Sequence, residues 1–399
     1  MRPNVPSRKT SPPTGMIDGM PTIPLRVLNR TLLQRQLLAE RTTRSPLEVI
    51  RHLVAVQGQE PNWPYVGLWT RVAGFRHDDL AALLRERRVV RATMLRRTIH
   101  LAAPEDYRWL WPSVRPVVRA ALRTAYYAEQ IAGLDPDEIG ETADKLLAGR
   151  TLSRKELGRL LAEHYPGRHA GRLAEVAETV LSLVHAPAAG AWGGWSTRTG
   201  IQVTRLADWA GTTVHERPML ETMIERYLAA FGPAGVMDIQ AWSGVTRLRD
   251  VVDGMRPRLR VLRAEDGREL FDLPDAALAD PDLPAPVRFL PAFDNAVLGY
   301  RDRTRVIAEE DGRRFAEIAS AGVPLFLVDG FAAGTWWLRR RTLLAVPFRP
   351  LPSAAEQAVE EEARRLLPFV FPGEEEATVA FAEEGSLPLN RLQIMMGRD

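Results

Sequence analysis

Three stretches of the sequence repeat one pattern, in which apolar residues at helical spacing are followed by residues that alternate like a strand. In the first stretch the predicted helices lie at 31–39, from the Ser45 capping box to Gly58, at 66–72 and at 78–86. The alternating segments 89–93 and 98–101 follow, joined by a basic turn at 95–97. Helices followed by a hairpin with a basic tip are typical of a winged helix-turn-helix unit.

The same order of helices and hairpin returns at 140–208 and, more loosely, at 216–273. After the proline-rich linker 283–286, alternating strands, one helix and an Asp329-Gly330 turn of type I′ predict a small terminal domain. The predicted fold is therefore α+β and mainly helical, with tandem winged helix-turn-helix units followed by a small C-terminal antiparallel β domain. The predicted segments are a disordered tail at 1–24, winged-helix units at 25–135 (with a long helix), 136–212 and 213–282, and an α+β domain at 283–399.

Composition narrows the class of protein. The 399 residues carry a net charge of only +3 and no cysteine, which excludes disulfides, thiolate metal sites and a cysteine nucleophile. No apolar stretch is long enough to cross a bilayer and the first residues lack a secretory signal, so we expect a cytoplasmic protein without a membrane partner. Arginines crowd 85–123 and suit phosphate contacts, while acidic residues crowd 356–384, although both runs could be solvated helix faces.

Several common sites are not predicted. The seven histidines lack the paired spacing of zinc ligands, so we expect no metal. The sequence has no glycine-rich phosphate loop that ends in lysine and no dinucleotide fingerprint, so we expect no nucleotide cofactor. No serine lies in a nucleophile elbow.

The most unusual local feature is Gln57-Gly58-Gln59, where the second predicted helix ends. Two neutral amides flank a glycine at the point where an apolar helical run stops. The amides could cap the C-terminus of the helix and bind the following loop at 61–65. They could also act on a substrate.

Several motifs resemble the bacterial winged-helix, AlkZ-like DNA glycosylase family over nearly the whole chain after the tail. These motifs are residues 56–61 with 67–71, 97–101, 290–295 with Arg303, and 328–330 with 334–336. The resemblance implies tandem winged helices that cradle duplex DNA, and base excision repair of alkylated purines, including bulky N7 adducts and crosslinks. The family's catalytic motif is glutamine, one residue, then glutamine, or glutamine, one residue, then aspartate in the other branch. The first form implies that Gln57 and Gln59 are catalytic. Gly58 departs from the larger apolar residue that usually separates them.

Paired amides are chemically suited to such a substrate. Glutamine cannot accept a proton as a general base, but an N7-alkylguanine is already cationic and leaves without being protonated. The two amides would place a water against C1′ of the sugar and favour its developing positive charge. Lysine occurs only at Lys9, Lys145 and Lys155, far from the glutamines in sequence, so we predict a monofunctional hydrolase without Schiff-base lyase chemistry.

Basic and aromatic residues near the predicted hairpins and second-unit helices are the predicted DNA contacts. They are Arg96, Arg97, His100, Arg154, Arg172, Arg198 and Trp63, whereas Tyr65, Asp294 and Asn295 are predicted to line a cleft. Trp63 and Tyr65 could instead belong to the core, His100 could end a buried strand, and Asp294-Asn295 could form a turn. The expected partner is alkylated double-stranded DNA, bound by a monomer in the bacterial nucleoid. The alternative function is a non-catalytic winged-helix DNA-binding protein of the regulator type.

Overall fold

The computed structural model describes residues 21–193, 200–319, 322–374 and 376–382. Within these residues the chain forms sheets of three, six and five strands, and helices surround them. This architecture confirms the predicted α+β class and the sheet-rich C-terminal part.

The first third of the chain begins with short helices whose starts are set by local sequence. Its elements are β1 (Thr22–Ile23), α1 (Leu25–Arg35), α2 (Pro46–His52), β2 (Val56–Gln57), α3 (Trp63–Trp69), α4 (His77–Arg85), β3 (Val90–Thr93), β4 (Ile99–Ala102), α5 (Pro104–Arg119) and α6 (Ala125–Ala128). The predicted capping box opens α2, because the Glu48 N–H donates to Ser45 Oγ at 3.3 Å and the Ser45 N–H donates to the Glu48 carboxylate at 2.8 Å.

The second helix is shorter than predicted. It ends at His52, and Val54 has a φ of 70°, a left-handed conformation that an α-helix cannot contain. Val54 is fully buried, so its packing in the core holds a turn that is unfavourable for a β-branched residue. The chain then runs extended through Gln57 in β2. The prediction that the glutamines lie at a helix C-terminus is therefore wrong, because Gln57 belongs to a strand.

The middle of the chain repeats the order of helices and strands. Its elements are α7 (Pro136–Leu147), β5 (Leu152–Ser153), α8 (Arg154–His164), α9 (Ala170–Val180), β6 (Leu183–His185), β7 (Gln202–Arg205), α10 (Leu206–Ala210), α11 (Leu220–Phe231), α12 (Val236–Ser243), α13 (Arg249–Met255), β8 (Arg260–Ala264) and β9 (Glu269–Asp272). β1 pairs in parallel with β8, and Ile23 is buried in one cluster with Leu28 and Leu262. The predicted tail therefore does not extend to Pro24, because Thr22 and Ile23 form a strand of a sheet.

The hairpins of the first two predicted units form one six-stranded sheet. Its strand order is β2-β4-β3-β6-β7-β5, and neighbouring strands are antiparallel. β3 and β6 meet where Arg91 pairs with His185. Because β2 lies at one end of this order, Gln57 is on an edge strand, opposite His100 of β4.

The C-terminal part is a five-stranded sheet with one long helix. Its elements are β10 (Arg288–Leu290), α14 (Asn295–Leu298), α15 (Gly312–Ala319), β11 (Leu325–Val328), β12 (Phe331–Arg339), β13 (Thr342–Pro347), α16 (Ser353–Val370) and β14 (Thr378–Phe381). Asp329 and Gly330 have φ values of 48° and 80°, which confirms the predicted type I′ turn. The sheet is antiparallel except for β14, which runs parallel to β13 because α16 carries the chain back across the sheet.

The C-terminal sheet shares its core with the first helices. Trp336 of β12 is fully buried and meets Trp63 of α3 edge-on, with ring centroids 5.7 Å apart. Arg71 donates to both carboxylate oxygens of Asp294, at 2.8 and 2.9 Å, and the two side chains are at most 4% exposed. These contacts fix the C-terminal part against the segment that carries the glutamines.

Candidate functional site

Gln57 and Gln59 lie on one face at the edge of the six-stranded sheet. The Gly58 N–H donates to the Ile99 carbonyl at 2.8 Å and continues the pairing of β2 with β4, so Gln57, Gln59 and His100 share a face. Gln57 Oε1 accepts the N–H of Gln59, and Gln59 Oε1 accepts the N–H of Ile99, both at 3.1 Å. These bonds hold both amides in place, and each amide oxygen has a second lone pair for a water molecule or a substrate. Gln57 is 6% exposed and Gln59 is half-buried.

Gly58 is not required by the local backbone. Its φ lies outside the left-handed region, and an added Cβ would meet Leu101 and Pro64 at 3.5 Å, an ordinary van der Waals distance. The site therefore has room for a side chain between the glutamines. The departure of Gly58 from the family pattern leaves the hydrogen bonds of both amides intact.

A buried arginine holds the backbone of the glutamine segment. Arg91 of β3 donates from Nε to the Gly58 carbonyl at 3.2 Å and from Nη2 to the Gln59 carbonyl at 3.4 Å. Its Nη1 donates to Nδ1 of His185 at 2.6 Å. Because arginine has only donors, Nδ1 of His185 carries no proton and the imidazole is neutral. Burial lowers the pKa of His185, which favours this neutral form.

The same network reaches a carboxylate on α9. Nε2 of His185 lies 3.5 Å from the Glu178 carboxylate, and Arg154 of α8 donates to that carboxylate from two nitrogens. Burial acts to raise the pKa of Glu178, but the hydrogen bonds from His185 and Arg154 outweigh it and hold the pKa at about 2. Glu178 is therefore ionised at neutral pH and too weak a base to take a proton from water.

A cleft of about 490 Å³ opens between the first hairpin and the second set of helices. Its lining includes Thr93, Arg96, Arg97 and Thr98 on the hairpin side, and Tyr126, Tyr127, Arg154 and Glu178 on the other. Thr98 precedes Ile99, whose N–H binds Gln59, so the glutamine segment adjoins the hairpin wall of the cleft. Tyr126 is 53% exposed, and the Arg172 guanidinium lies 3.6 Å from the centre of its ring. Exposed aromatic rings and arginines together suit the binding of nucleic acid.

The arginines predicted to bind DNA differ in their surroundings. Arg97 is exposed at the hairpin tip. Arg96 donates to the Trp242 carbonyl of α12, so it also ties the tip to the third predicted unit. Arg154 is paired with Glu178, and Arg172 binds Glu175 at 2.7 Å. The structure brings Arg96, Arg97 and Arg154 together in the cleft. Arg172 contacts the ring of Tyr126 but does not line the cleft, and Arg198 lies outside the described residues.

Trp63 and Tyr65 are core residues, contrary to their predicted roles in DNA binding and cleft lining. Trp63 is buried against Trp336. The Tyr65 hydroxyl donates to the Gly190 carbonyl and accepts the Trp192 N–H, both at 3.1 Å. Burial raises the pKa of Tyr65 to about 12. The C-terminal sheet and the segment at 190–192 cover α3, which leaves neither ring available to DNA.

His100, Asp294 and Asn295 are also buried, which corrects their predicted roles. Nδ1 of His100 donates to the Thr98 carbonyl at 3.0 Å, and burial lowers the pKa of His100 to about 3, so the ring is neutral. Asp294 caps α14 while it binds Arg71. Nδ2 of Asn295 donates to the Ala55 carbonyl. His100 pairs with Gln57, and Asn295 binds the chain just before β2, so these two residues support the glutamine segment. Like the glutamines, none of the three lines the cleft.

Four residues of the site were not predicted from the sequence: Arg91, His185, Glu178 and Tyr126. Arg91 and His185 are 94 residues apart and meet only because β3 pairs with β6, so no local pattern connects them. The adjacent Tyr126-Tyr127 pair is a local pattern that could have indicated a stacking surface.

Neither a metal centre nor a membrane span is found in the part of the chain that the structure describes. There, no group of three or more histidine, cysteine, aspartate or glutamate residues could hold a metal ion. No helix in the same residues is both long and apolar enough to cross a bilayer.

Comparison with known proteins shows that the chain belongs to a family of DNA glycosylases. The family model described as DNA glycosylase AlkZ-like matches residues 50–369, so the chain belongs to this family. The chain is 25% identical, over 357 residues, to the interstrand DNA cross-link repair glycosylase of Streptomyces sahachiroi, an alignment that covers 83% of this chain and 92% of that protein. The solved structure of Streptomyces sahachiroi DNA glycosylase AlkZ has the same fold, with a TM-score of 0.72 and 22% identity over 90% of this chain and 100% of that one.

Proposed function

We propose that this protein is a monofunctional glycosylase that hydrolyses the N-glycosidic bond of N7-alkylated purines in duplex DNA, including bulky or crosslinked purines. The observation that carries the proposal is the placement of Gln57 and Gln59 on one face, held by backbone bonds next to the hairpin. Residues of that hairpin, among them Arg96, Arg97 and Thr98, line the cleft, although neither glutamine does so itself. Family membership supports the reaction class. The name of the Streptomyces sahachiroi relative, a cross-link repair glycosylase, supports crosslinked bases as substrates.

The proposed substrate class follows from the chemistry of the amides. An uncharged amide cannot take a proton from water, and the ionised Glu178 on the cleft wall is a weak base. Such a site suits a base that already carries a positive charge, since that base leaves without help. The amide oxygens then orient the attacking water and favour the positive charge that develops on the sugar. Uracil and undamaged purines, which are poor leaving groups, are not expected substrates.

The placement of the lysines supports hydrolysis without strand cleavage. A lyase needs an amine that can form a Schiff base with C1′. Lys145 on α7 and Lys155 on α8 are exposed, and both lie on helices of the second predicted unit, not on the strand that carries the glutamines. Lys9 lies outside the described residues. We expect borohydride to trap no covalent protein–DNA adduct.

A duplex with a single N7-methylguanine tests the proposal. The wild-type protein should release the base, and heating in alkali should convert each abasic site to a strand break. Gln57→Ala and Gln59→Ala should each lose this activity, whereas Gln357→Ala, which removes an exposed glutamine on α16, should keep it. Undiminished breaks in both site variants would contradict the proposal. Binding of the lesion without any base release by the wild type would favour the non-catalytic alternative.

A further inference from the structure

A second basic groove lies apart from the glutamine site. It has a volume of about 300 Å³ and opens between the C-terminal ends of α2 and α4, the start of α5 and the segment that follows α10. Its lining includes Arg51, Arg87, Arg88 and Arg108, and Glu105 is the one acidic residue among the described residues that line it. We call it the four-arginine groove.

Neutral groups hold two of these arginines. Nε of Arg108 donates to the Thr213 carbonyl at 2.8 Å. Nη1 of Arg87 donates to the Trp209 carbonyl at 3.2 Å, and its guanidinium lies 4.6 Å from the centre of the Trp209 ring. A carbonyl or an aromatic ring orients a guanidinium but does not cancel its charge. Both cations therefore keep their full charge beside the groove.

The other two arginines have weak acidic partners. Arg51 lies 3.3 Å from Glu105, and Arg88 lies 3.9 Å from Glu86. The side chains of both pairs, two arginines and two glutamates, are each at least 46% exposed. Water and salt therefore screen both pairs strongly. The groove therefore concentrates positive charge, and an anion with several oxygens would relieve the repulsion among its arginines.

We infer that the four-arginine groove binds phosphates of the DNA backbone at a distance from the base that is excised. The inference rests on the proposed function, because it takes duplex DNA as the ligand. Planar guanidinium groups match phosphate oxygens, which makes arginine the suitable residue. Arg88 and Arg96 lie on either side of β3, and a chain of eight residues spans at most about 26 Å. A DNA backbone that passes both points therefore has up to about seven nucleotides between them, at 3.4 Å per nucleotide.

The salt dependence of DNA binding tests the groove. The variant carries Arg51→Gln and Arg88→Gln, and the matched control carries Arg364→Gln and Arg365→Gln, two exposed arginines on α16. The dissociation constant for an undamaged duplex of about 30 base pairs is measured over a range of salt concentrations. Each lost phosphate contact should reduce the slope of log K against log salt by about 0.9. We expect the groove variant to lose one to two contacts and the control none. Equal slopes in the two proteins would overturn the inference.

Two further measurements distinguish a contact with distant DNA from a site for free phosphate. A duplex of about six base pairs around the hairpin contact cannot reach the groove, so it should show no difference between variant and control. Inorganic phosphate is the probe for a free anion site. If it raises the Tm of the wild type but not of the variant, while the DNA slopes stay equal, the groove binds free phosphate and the inference is wrong. Because the duplex is undamaged and is not hydrolysed, the slopes test the groove alone. A failed base-release assay would contradict the proposed function and leave the slopes unchanged.

Discussion

Gly58 offers a direct test at the scale of one residue. Its φ and its surroundings allow a Cβ, so Gly58→Ala should fold without strain. The substitution restricts the unfolded chain and should raise the free energy of unfolding by about 0.4–1 kcal/mol. Urea unfolding measures this gain, and the N7-methylguanine assay should show base release comparable to the wild type. A stable Gly58→Ala protein without activity would mean that the amides need a more flexible backbone than their hydrogen bonds indicate.

His100 predicts how stability depends on pH. Its pKa is about 3 in the folded protein and about 6.5 in an unfolded chain. Below pH 6.5 the unfolded chain binds a proton that the folded protein does not, so the free energy of unfolding falls as pH drops from 6.5 towards 3. The fall should approach about 1.4 kcal/mol per pH unit.

The matched protein for this measurement is His100→Asn, which keeps a donor for the Thr98 carbonyl but does not titrate. Urea unfolding at pH 7 and at pH 5 should show a smaller loss of stability in His100→Asn than in the wild type. Equal losses would assign the acid sensitivity to other groups, such as His52 and His185, whose pKa values burial also lowers.

At the scale of elements, β3 supports the glutamine segment through Arg91. Lysine has a single ammonium and cannot bind two carbonyls and an imidazole nitrogen with the geometry of a planar fork. Arg91→Lys should therefore let the amides shift and should lower the single-turnover rate of base release by on the order of tenfold or more. Arg85→Lys, at an exposed position on α4, is the control. A similar loss of rate in both variants would contradict a positioning role for Arg91.

Elements with local start and stop signals were predictable from the sequence, whereas those defined by a distant partner were not. The capping box of α2 and the turn at Asp329-Gly330 are set by neighbouring residues, and both occur as predicted. The end of α2 was missed because the left-handed Val54 is imposed by tertiary packing. β2 has only two residues and exists through its pairing with β4.

The residues of the candidate site also differ in whether a local pattern or a distant partner places them. Gln57 and Gln59 were predicted because their spacing matches a family motif, and their catalytic role stays a prediction. Trp63 was misassigned because the residue that buries it, Trp336, lies in the C-terminal sheet. Arg91 and His185 were missed because only the order of strands in the sheet brings them together.

At the scale of the whole molecule, the Arg71–Asp294 pair joins two parts of the chain that are 223 residues apart. Asp294→Ala would leave Arg71 buried without its partner, and should lower the free energy of unfolding by about 3–5 kcal/mol. Replacing both residues, with Arg71→Met and Asp294→Leu, should recover much of this loss because no buried charge remains. Urea denaturation measures both effects. A double variant as unstable as Asp294→Ala would show that lost packing, not the buried charge, causes the loss.

The order of strands in the six-stranded sheet also has a consequence for synthesis of the protein. β3 has β4 on one side, but its other neighbour contains His185, which the ribosome adds 94 residues after Arg91. At about 5–20 residues per second, the open edge of β3 waits roughly 5 to 20 seconds for its partner. An unpaired strand edge can form hydrogen bonds with the strand edge of another nascent chain, which leads to aggregation. Chains that stall or are truncated before His185 should therefore aggregate more readily than chains that end after β7, in which this edge of β3 is paired.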